Sequence, residues 1–176
     1  MGDAPLVSVL IPAHNAHRFL ERALGSVQNQ TYTNVEILVV DDGSDDGTAD
    51  LVRTLAADDP RIQLFRQSNQ GVAAARNRAL AEAQGPYVAP LDADDIWFPR
   101  KLGWQVARMQ ETGPATGLVY AWWAGLGEDG TIVGAAGLPS KGTCTTRSPI
   151  AISSATRACP SSAELSSRRS GATTRR

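Results

Sequence analysis

The chain has 176 residues, 42% of them apolar and 20% charged, with a formal net charge of −1; that size favours one domain with a real hydrophobic core, and the charge balance points away from nucleic acid. No apolar run approaches the roughly 18–20 residues of a membrane span, and two cysteines cannot build a disulfide scaffold. Met1-Gly2-Asp3-Ala4-Pro5 does not read as a signal peptide, so a cytoplasmic α/β protein is expected.

Val7–Ile11 is predicted as a buried strand, short and β-branched, stopped by Pro12. From Arg18 to Gln28, Phe19, Leu20, Ala23, Leu24 and Val27 recur at helical spacing, with Arg18, Glu21, Arg22 and Gln28 on the wet side. Asn15 stands where it could cap that helix. Val35–Val40 is a second buried strand. It runs into the turn chemistry of Asp41-Asp42-Gly43-Ser44-Asp45-Asp46-Gly47. Thr48 stands where it could cap a helix carrying Leu51, Val52 and Leu55, and Arg61–Phe65 is a third strand. After the turn Asn69-Gln70-Gly71, an Ala-rich helix from Val72 to about Ala83 carries Arg76 and Arg78 and ends at Gly85-Pro86.

Tyr87–Leu91 is a fourth strand, closed by Asp92-Ala93-Asp94-Asp95. Pro99 opens a helix whose Leu102, Val106 and Met109 line one face. Gly117–Trp123 reads as a further strand. Glu128-Asp129-Gly130 is a hairpin signal leading into Thr131-Ile132-Val133. The last segment differs in kind. Residues 1–138 hold 10 Lys+Arg and 17 Asp+Glu, whereas residues 139–176 hold seven Lys+Arg and a single acid, Glu164. Those 38 residues include 15 Ser+Thr and no aromatic, too little apolar surface to offset ordering entropy. The expected organisation is therefore a folded domain over 1–138 and a disordered or loosely attached tail over 139–176. Cys144 and Cys159, with no histidine nearby, read as incidental rather than as a metal site.

Strands alternating with helices through short links imply a mostly parallel sheet with helices on both faces. Ligands of such sheets sit outside the carboxyl ends of the strands, near a switch point. Those ends carry Pro12-Ala13-His14-Asn15, Asp41-Asp42 and Asp92-Ala93-Asp94-Asp95. Asp45 and Asp46 read as turn residues, and His14 and His17 as solvated loop or helix-start residues. Three carboxylates in Asp92-Ala93-Asp94-Asp95 repel unless a cation or donors neutralise them. A hard divalent ion sharing its sites with phosphate oxygens suits them. The bland alternative is an α/β protein whose acidic loops merely cap helices. There is no G-x-G-x-x-G, P-loop or G-x-S-x-G element. The sequon Asn29-Gln30-Thr31 is set aside for want of a signal peptide.

Val7–Asn15, Val39–Thr48, Asn69–Asn77 and Leu91–Asp95 together resemble family 2 glycosyltransferases over roughly residues 5–135. The resemblance implies the GT-A fold with its Rossmann-like nucleotide-binding half. It implies a metal-dependent, inverting transfer of a sugar (hexosyltransferase type) to a glycan or other hydroxyl acceptor in polysaccharide or glycan synthesis. The donor it implies is a nucleotide-diphosphate sugar, usually a UDP-sugar, with Mn2+ or Mg2+. By that resemblance Pro12 and Asn15 border the nucleoside, Asp41 accepts from the uracil ring, Arg76 lies near the base or phosphates, Asp92 contacts the ribose or metal, and Asp94 ligates the metal. Asp42 and Asp95 are left as supporting or solvated groups. No transmembrane segment is expected, and peripheral membrane association stays open. One departure stands out. Such enzymes need a positioned general base, and beyond Thr131 the sequence offers only Glu164. The expectation is a domain truncated after its donor half, with residues 139–176 a frame-shifted reading, so that nucleotide and metal binding without transfer is the alternative function.

Overall fold

Strands that are apolar almost throughout demand cover on both faces, and the helices of this chain supply it. A computed structural model describes residues 4–121, 123–126, 131–136 and 150–153. In chain order the elements are β1 (Val7–Ala13), α1 (His17–Gln28), β2 (Val35–Asp42), α2 (Thr48–Asp58), β3 (Ile62–Gln67), α3 (Val72–Glu82), β4 (Tyr87–Pro90), α4 (Lys101–Thr112), β5 (Leu118–Tyr120), β6 (Trp123–Leu126), β7 (Ile132–Ala136) and β8 (Ile150–Ser153). Six strands form one sheet in the order β3-β2-β1-β4-β8-β5, with every neighbouring pair parallel. The mostly parallel sheet with helices on both faces is as expected. Antiparallel β6 and β7 form a separate hairpin. Its turn, Glu128-Asp129-Gly130, lies outside the described residues.

The period of two along each strand divides the core. Val7, Val9 and Ile11 of β1 and Val35, Ile37 and Val39 of β2 pack with Leu20, Leu24 and Val27 of α1, Val52 of α2, and Leu102, Val106 and Met109 of α4. Leu10, Leu38, Val40 and Val88 point the other way, onto Ala75 and Ala79 of α3. The small residues of α3 let it approach the sheet closely. Among the described residues, no helix is long and apolar enough to cross a membrane.

Several local expectations shift. Pro12 does not stop β1, which continues through it to Ala13. Leu10 accepts from Leu91 N–H at 3.0 Å, so even-numbered residues of β1 turn their backbone groups toward β4. The donor that Pro12 lacks would have pointed beyond the last β4 pair, Leu10 opposite Pro90, so no ladder bond is lost. Ile150–Ser153, within the segment expected to lie outside the fold, forms β8 between β4 and β5. Ile150 and Ile152 are the only Ile or Val residues of that segment, which is where strand propensity concentrates. Cys144, Cys159 and Glu164 lie outside the described residues.

One buried acid sits in the middle of this packing. Glu36, 6% exposed, accepts from Ser8 Oγ at 2.6 Å, Gln84 N–H at 2.7 Å and Gly85 N–H at 3.2 Å. Gly85 N–H is also 2.9 Å from Ser8 Oγ. The cluster fastens the entry to β4 against β1 and β2. Glu36→Ala strands the Ser8 hydroxyl and Gln84 N–H and leaves Gly85 N–H to Ser8 Oγ alone, each stranded donor costing about 1–3 kcal/mol. The expected outcome is a loss of about 3 kcal/mol or more in urea unfolding, with the slope unchanged.

Candidate functional site

β1 stays paired with β2 as far as Ala13 opposite Asp41, but its ladder with β4 ends at Leu10. Beyond that point β1 and β4 part, as parallel sheets do where the strand order reverses. The parting opens a cleft of about 480 Å³. Pro12, Ala13, His14 and Asn15 form one wall, Asp42 and the α3 residues Val72, Ala75 and Arg76 a second, and Asp92, Ala93 and Asp94 a third, with Phe19 at the mouth. Of the six residues expected at a nucleotide-sugar site, Pro12, Asn15, Arg76, Asp92 and Asp94 line this cleft.

The sixth does not. Asp41 is wholly buried. Its carboxylate accepts from Ser44 N–H at 3.1 Å and from Arg66 Nε at 2.8 Å. Adjacent strand residues face opposite ways, so Asp42 shares the side of Leu38 and Val40 and turns toward α3 and the cleft. Strand alternation in the sequence carried that signal. Asp42 accepts from Gln67 Nε2 at 2.8 Å, Gln70 N–H at 2.9 Å and Gly71 N–H at 2.7 Å. Burial alone would push its carboxyl up, but these bonds, with His14 nearby, outweigh burial and hold it below the usual carboxylate range. His14, read from the sequence as a solvated loop residue, has Nδ1 2.8 Å from the Asp42 carbonyl oxygen. A carbonyl only accepts, so Nδ1 donates, and Nε2 accepts from Asn69 Nδ2 at 3.2 Å.

The loops are tied down not by the expected caps Asn15 and Thr48 but by an acid read from the sequence as a turn residue. Asn15 does not cap α1: its backbone is left-handed, with φ 47°, a conformation that Asn tolerates. Its Oδ1 accepts from Asp45 N–H at 3.0 Å. Thr48 does not cap α2 either, being that helix's first residue, and its Oγ1 accepts from Ala16 N–H at 2.9 Å. Asp46 serves both helices. One of its oxygens accepts from His17 N–H at 3.0 Å and the other from Thr48 N–H at 2.9 Å. A single carboxylate thus meets the free donors and positive dipole ends of α1 and α2.

The segment after β4 carries the charge. Arg76 Nη2 pairs with Asp92, and Arg76 Nε is buried without a partner. Asp94 and Asp95 are exposed. Desolvation first, then the charges of Asp94 and Asp92, push the Asp95 carboxyl up, with Lys101 opposing. Among the described residues no three His, Cys, Asp or Glu side chains group as a metal site. Two hard carboxylates with room left for phosphate oxygens nevertheless fit Mg2+ or Mn2+, which rarely rely on protein ligands alone. The unpartnered Arg76 nitrogen fits an anion beside them.

The comparisons point to one family and fold. Residues 8–133 match the family model described as glycosyl transferase family 2. Over 128 residues the chain is 41% identical to a Bacillus subtilis (strain 168) glycosyltransferase named for teichuronic acid biosynthesis, covering 72% of this chain and 50% of that protein. It is similar to the Pyrobaculum calidifontis mannosyltransferase PcManGT in complex with GDP-Man and Mn2+, with TM-score 0.60 and 32% identity over 66% of this chain and 35% of that one. It is also similar to S. aureus TarS 1–349 in complex with UDP, with TM-score 0.60 and 27% identity over 65% of this chain and 34% of that one. The chain spans half or less of the length of each of these proteins.

Behind the acidic segment lies Lys101, 8% exposed. Its Nζ donates to Gln105 Oε1 at 2.9 Å and sits 3.8 Å from the centre of the Trp97 ring. Burial pulls its pKa down to about 7, with Asp95 opposing. The unfolded chain therefore binds the extra proton between pH 7 and 10.5, and folding becomes more favourable as pH rises through that window. Lys101→Met removes this penalty. The expected result is a higher melting temperature at pH 6, with the gain shrinking steadily toward pH 10.5 in a series of thermal melts.

Proposed function

The chain belongs to glycosyl transferase family 2, and we propose that its described domain is the donor half of a metal-dependent transferase. In this reading it takes a nucleotide-diphosphate sugar, a UDP-sugar first, and passes the sugar with inversion to an acceptor hydroxyl in polysaccharide or glycan synthesis. A cytoplasmic location goes with it. One observation carries the proposal: Asn15, Asp42, Arg76, Asp92 and Asp94 converge on one cleft at the carboxyl edge of the sheet. The relatives named for teichuronic acid synthesis, UDP and GDP-Man with Mn2+ support the donor class.

The residue roles follow from the geometry. Pro12 and Asn15 border the nucleoside. Asp42, as buried as Asp41 but lining the cleft, stands where a base N–H would need an acceptor. Arg76 would offer its guanidinium, which lines the cleft, to phosphate, and Asp94 with Asp92 would hold a divalent cation. When bound, that cation stabilises the charge developing on the diphosphate leaving group. Arg76 would add a positive charge beside the same leaving group.

The alternative is binding of nucleotide and metal without transfer. Release of UDP from a UDP-sugar in the presence of acceptor separates turnover from binding alone.

The donor site itself is tested by melting the chain with and without UDP and Mn2+. A ligand at about 100 times its dissociation constant adds about 2.7 kcal/mol, which is a rise of about 5–10 °C at this size. Asp94→Asn should abolish the metal-dependent part of that rise. Asp42→Asn should weaken UDP binding without metal. A melting temperature indifferent to UDP and metal would sink the donor-site reading.

A further inference from the structure

Asp92, Asp94 and Asp95 lie in a segment without regular secondary structure, and three carboxylates within four residues repel one another. Their placement therefore depends on how the segment is held at its ends. At the front, Leu91 is wholly buried and its N–H is bonded to Leu10 at 3.0 Å. At the back, Trp97 is 6% exposed, and its N–H donates to Ser26 Oγ at 3.1 Å. Ser26 in turn donates to Ala23 C=O at 2.7 Å, so its hydroxyl is fixed to α1.

Gln30 continues the clasp. It is 4% exposed. Its Nε2 donates to Phe98 C=O at 2.8 Å and to Ser26 C=O at 3.1 Å. Its Oε1 accepts from Leu102 N–H at 3.1 Å. Leu102 is the second residue of α4, whose own N-cap, Arg100, makes no side-chain cap bond. Gln30 thus meets a donor that a helix start leaves free, from 72 positions earlier in the chain. Thr31 N–H adds a bond to Pro99 C=O at 2.8 Å. With Thr31 Oγ1 also donating to Pro99 C=O at 3.2 Å, four side-chain bonds and one backbone bond from the end of α1 and the residues after it reach Trp97, Phe98, Pro99 and Leu102.

We infer that Ser26 and Gln30 are positioning residues for the acidic segment: through Trp97 N–H, Phe98 C=O and Leu102 N–H they hold its trailing end so that Asp94 and Asp92 present their oxygens together to a divalent cation. The inference rests on the donor-site reading above. Neither side chain touches the cleft, so the effect passes entirely through the backbone of residues 92–102. Partners that orient a metal ligand typically change affinity 10- to 100-fold when removed.

The test compares Ser26→Ala, Gln30→Met and Gln30→Glu with Ser8→Ala in the full chain. Ser8→Ala removes a buried hydrogen bond at the opposite end of the sheet. Mn2+ affinity is measured in saturating UDP from the free-ion paramagnetic resonance signal, UDP affinity without metal by equilibrium dialysis, and hydrogen exchange at the amides of Asp94, Asp95 and Ile96. The expected result is Mn2+ binding weakened about ten-fold and faster exchange at those amides in Ser26→Ala and Gln30→Met, with metal-free UDP affinity within two-fold of wild type. Gln30→Glu keeps the acceptor for Leu102 N–H but loses both donors, and should fall between. Ser8→Ala should lower the melting temperature and leave Mn2+ affinity and the three amides unchanged. Should Gln30→Met not fold, the milder Ser26→Ala decides. Wild-type Mn2+ affinity and exchange in both variants would overturn the inference while leaving the donor site standing, as would an equal loss in Ser8→Ala. A wild-type chain that binds no Mn2+ even with UDP would overturn both.

Discussion

Every feature of the cleft depends on the separation of β1 and β4 beyond Leu10 and Pro90. A parallel strand ladder leaves no gap for a ligand while it lasts. Once β4 stops, the last three residues of β1 have a partner on one side only. Pro12 sits at that open side without losing a ladder bond, and the loops after β1, β2 and β4 can then converge on one space. Strand order makes this happen here and not elsewhere: the chain moves from β1 out to β2 and β3, then returns to lay β4 on the other flank. The switch point is thus a topological consequence, and the site chemistry is grafted onto it.

The carboxylates at this edge are not equivalent, and burial with partner choice sorts them. Asp41 is consumed by Arg66 and the Ser44 amide. Asp46 is consumed by the starts of α1 and α2. Asp42 is intermediate: it braces the turn before α3 through Gln70 and Gly71 yet still faces the cleft. Asp94, exposed after β4, keeps its oxygens clear of the donors that hold Asp41, Asp42 and Asp46. A structural acid is neutralised by donors already in place. After β4 the carboxylates lie close enough that burial first, and then the charges of Asp94 and Asp92, push the Asp95 carboxyl up.

The same division explains how an irregular acidic segment can be precise. Its own backbone offers few bonds, so its geometry is borrowed from rigid neighbours: Leu10 on one side, the end of α1 on the other. Placing the charged groups on a loop and their braces on a helix and a strand keeps solvent access and rigidity together.

The sequence by itself determined the element types, the parallel α/β class and the strand ends at which the site lies, because these follow from apolar periodicity and turn residues within short windows. Through the family resemblance it also pointed to Pro12, Asn15, Arg76, Asp92 and Asp94, which line the cleft. Tertiary structure decided the rest. Whether Asp41 or Asp42 faced the cleft turned on the pleat of β2 and on Arg66 lying across from Asp41. Which residue capped α1 and α2 turned on two loops meeting, so that Asp46 displaced both Asn15 and Thr48 from that role. The brace formed by Ser26 and Gln30 was invisible for the same reason: its partners lie about 70 positions away, and a hydrogen bond between distant segments leaves no periodicity in either of them.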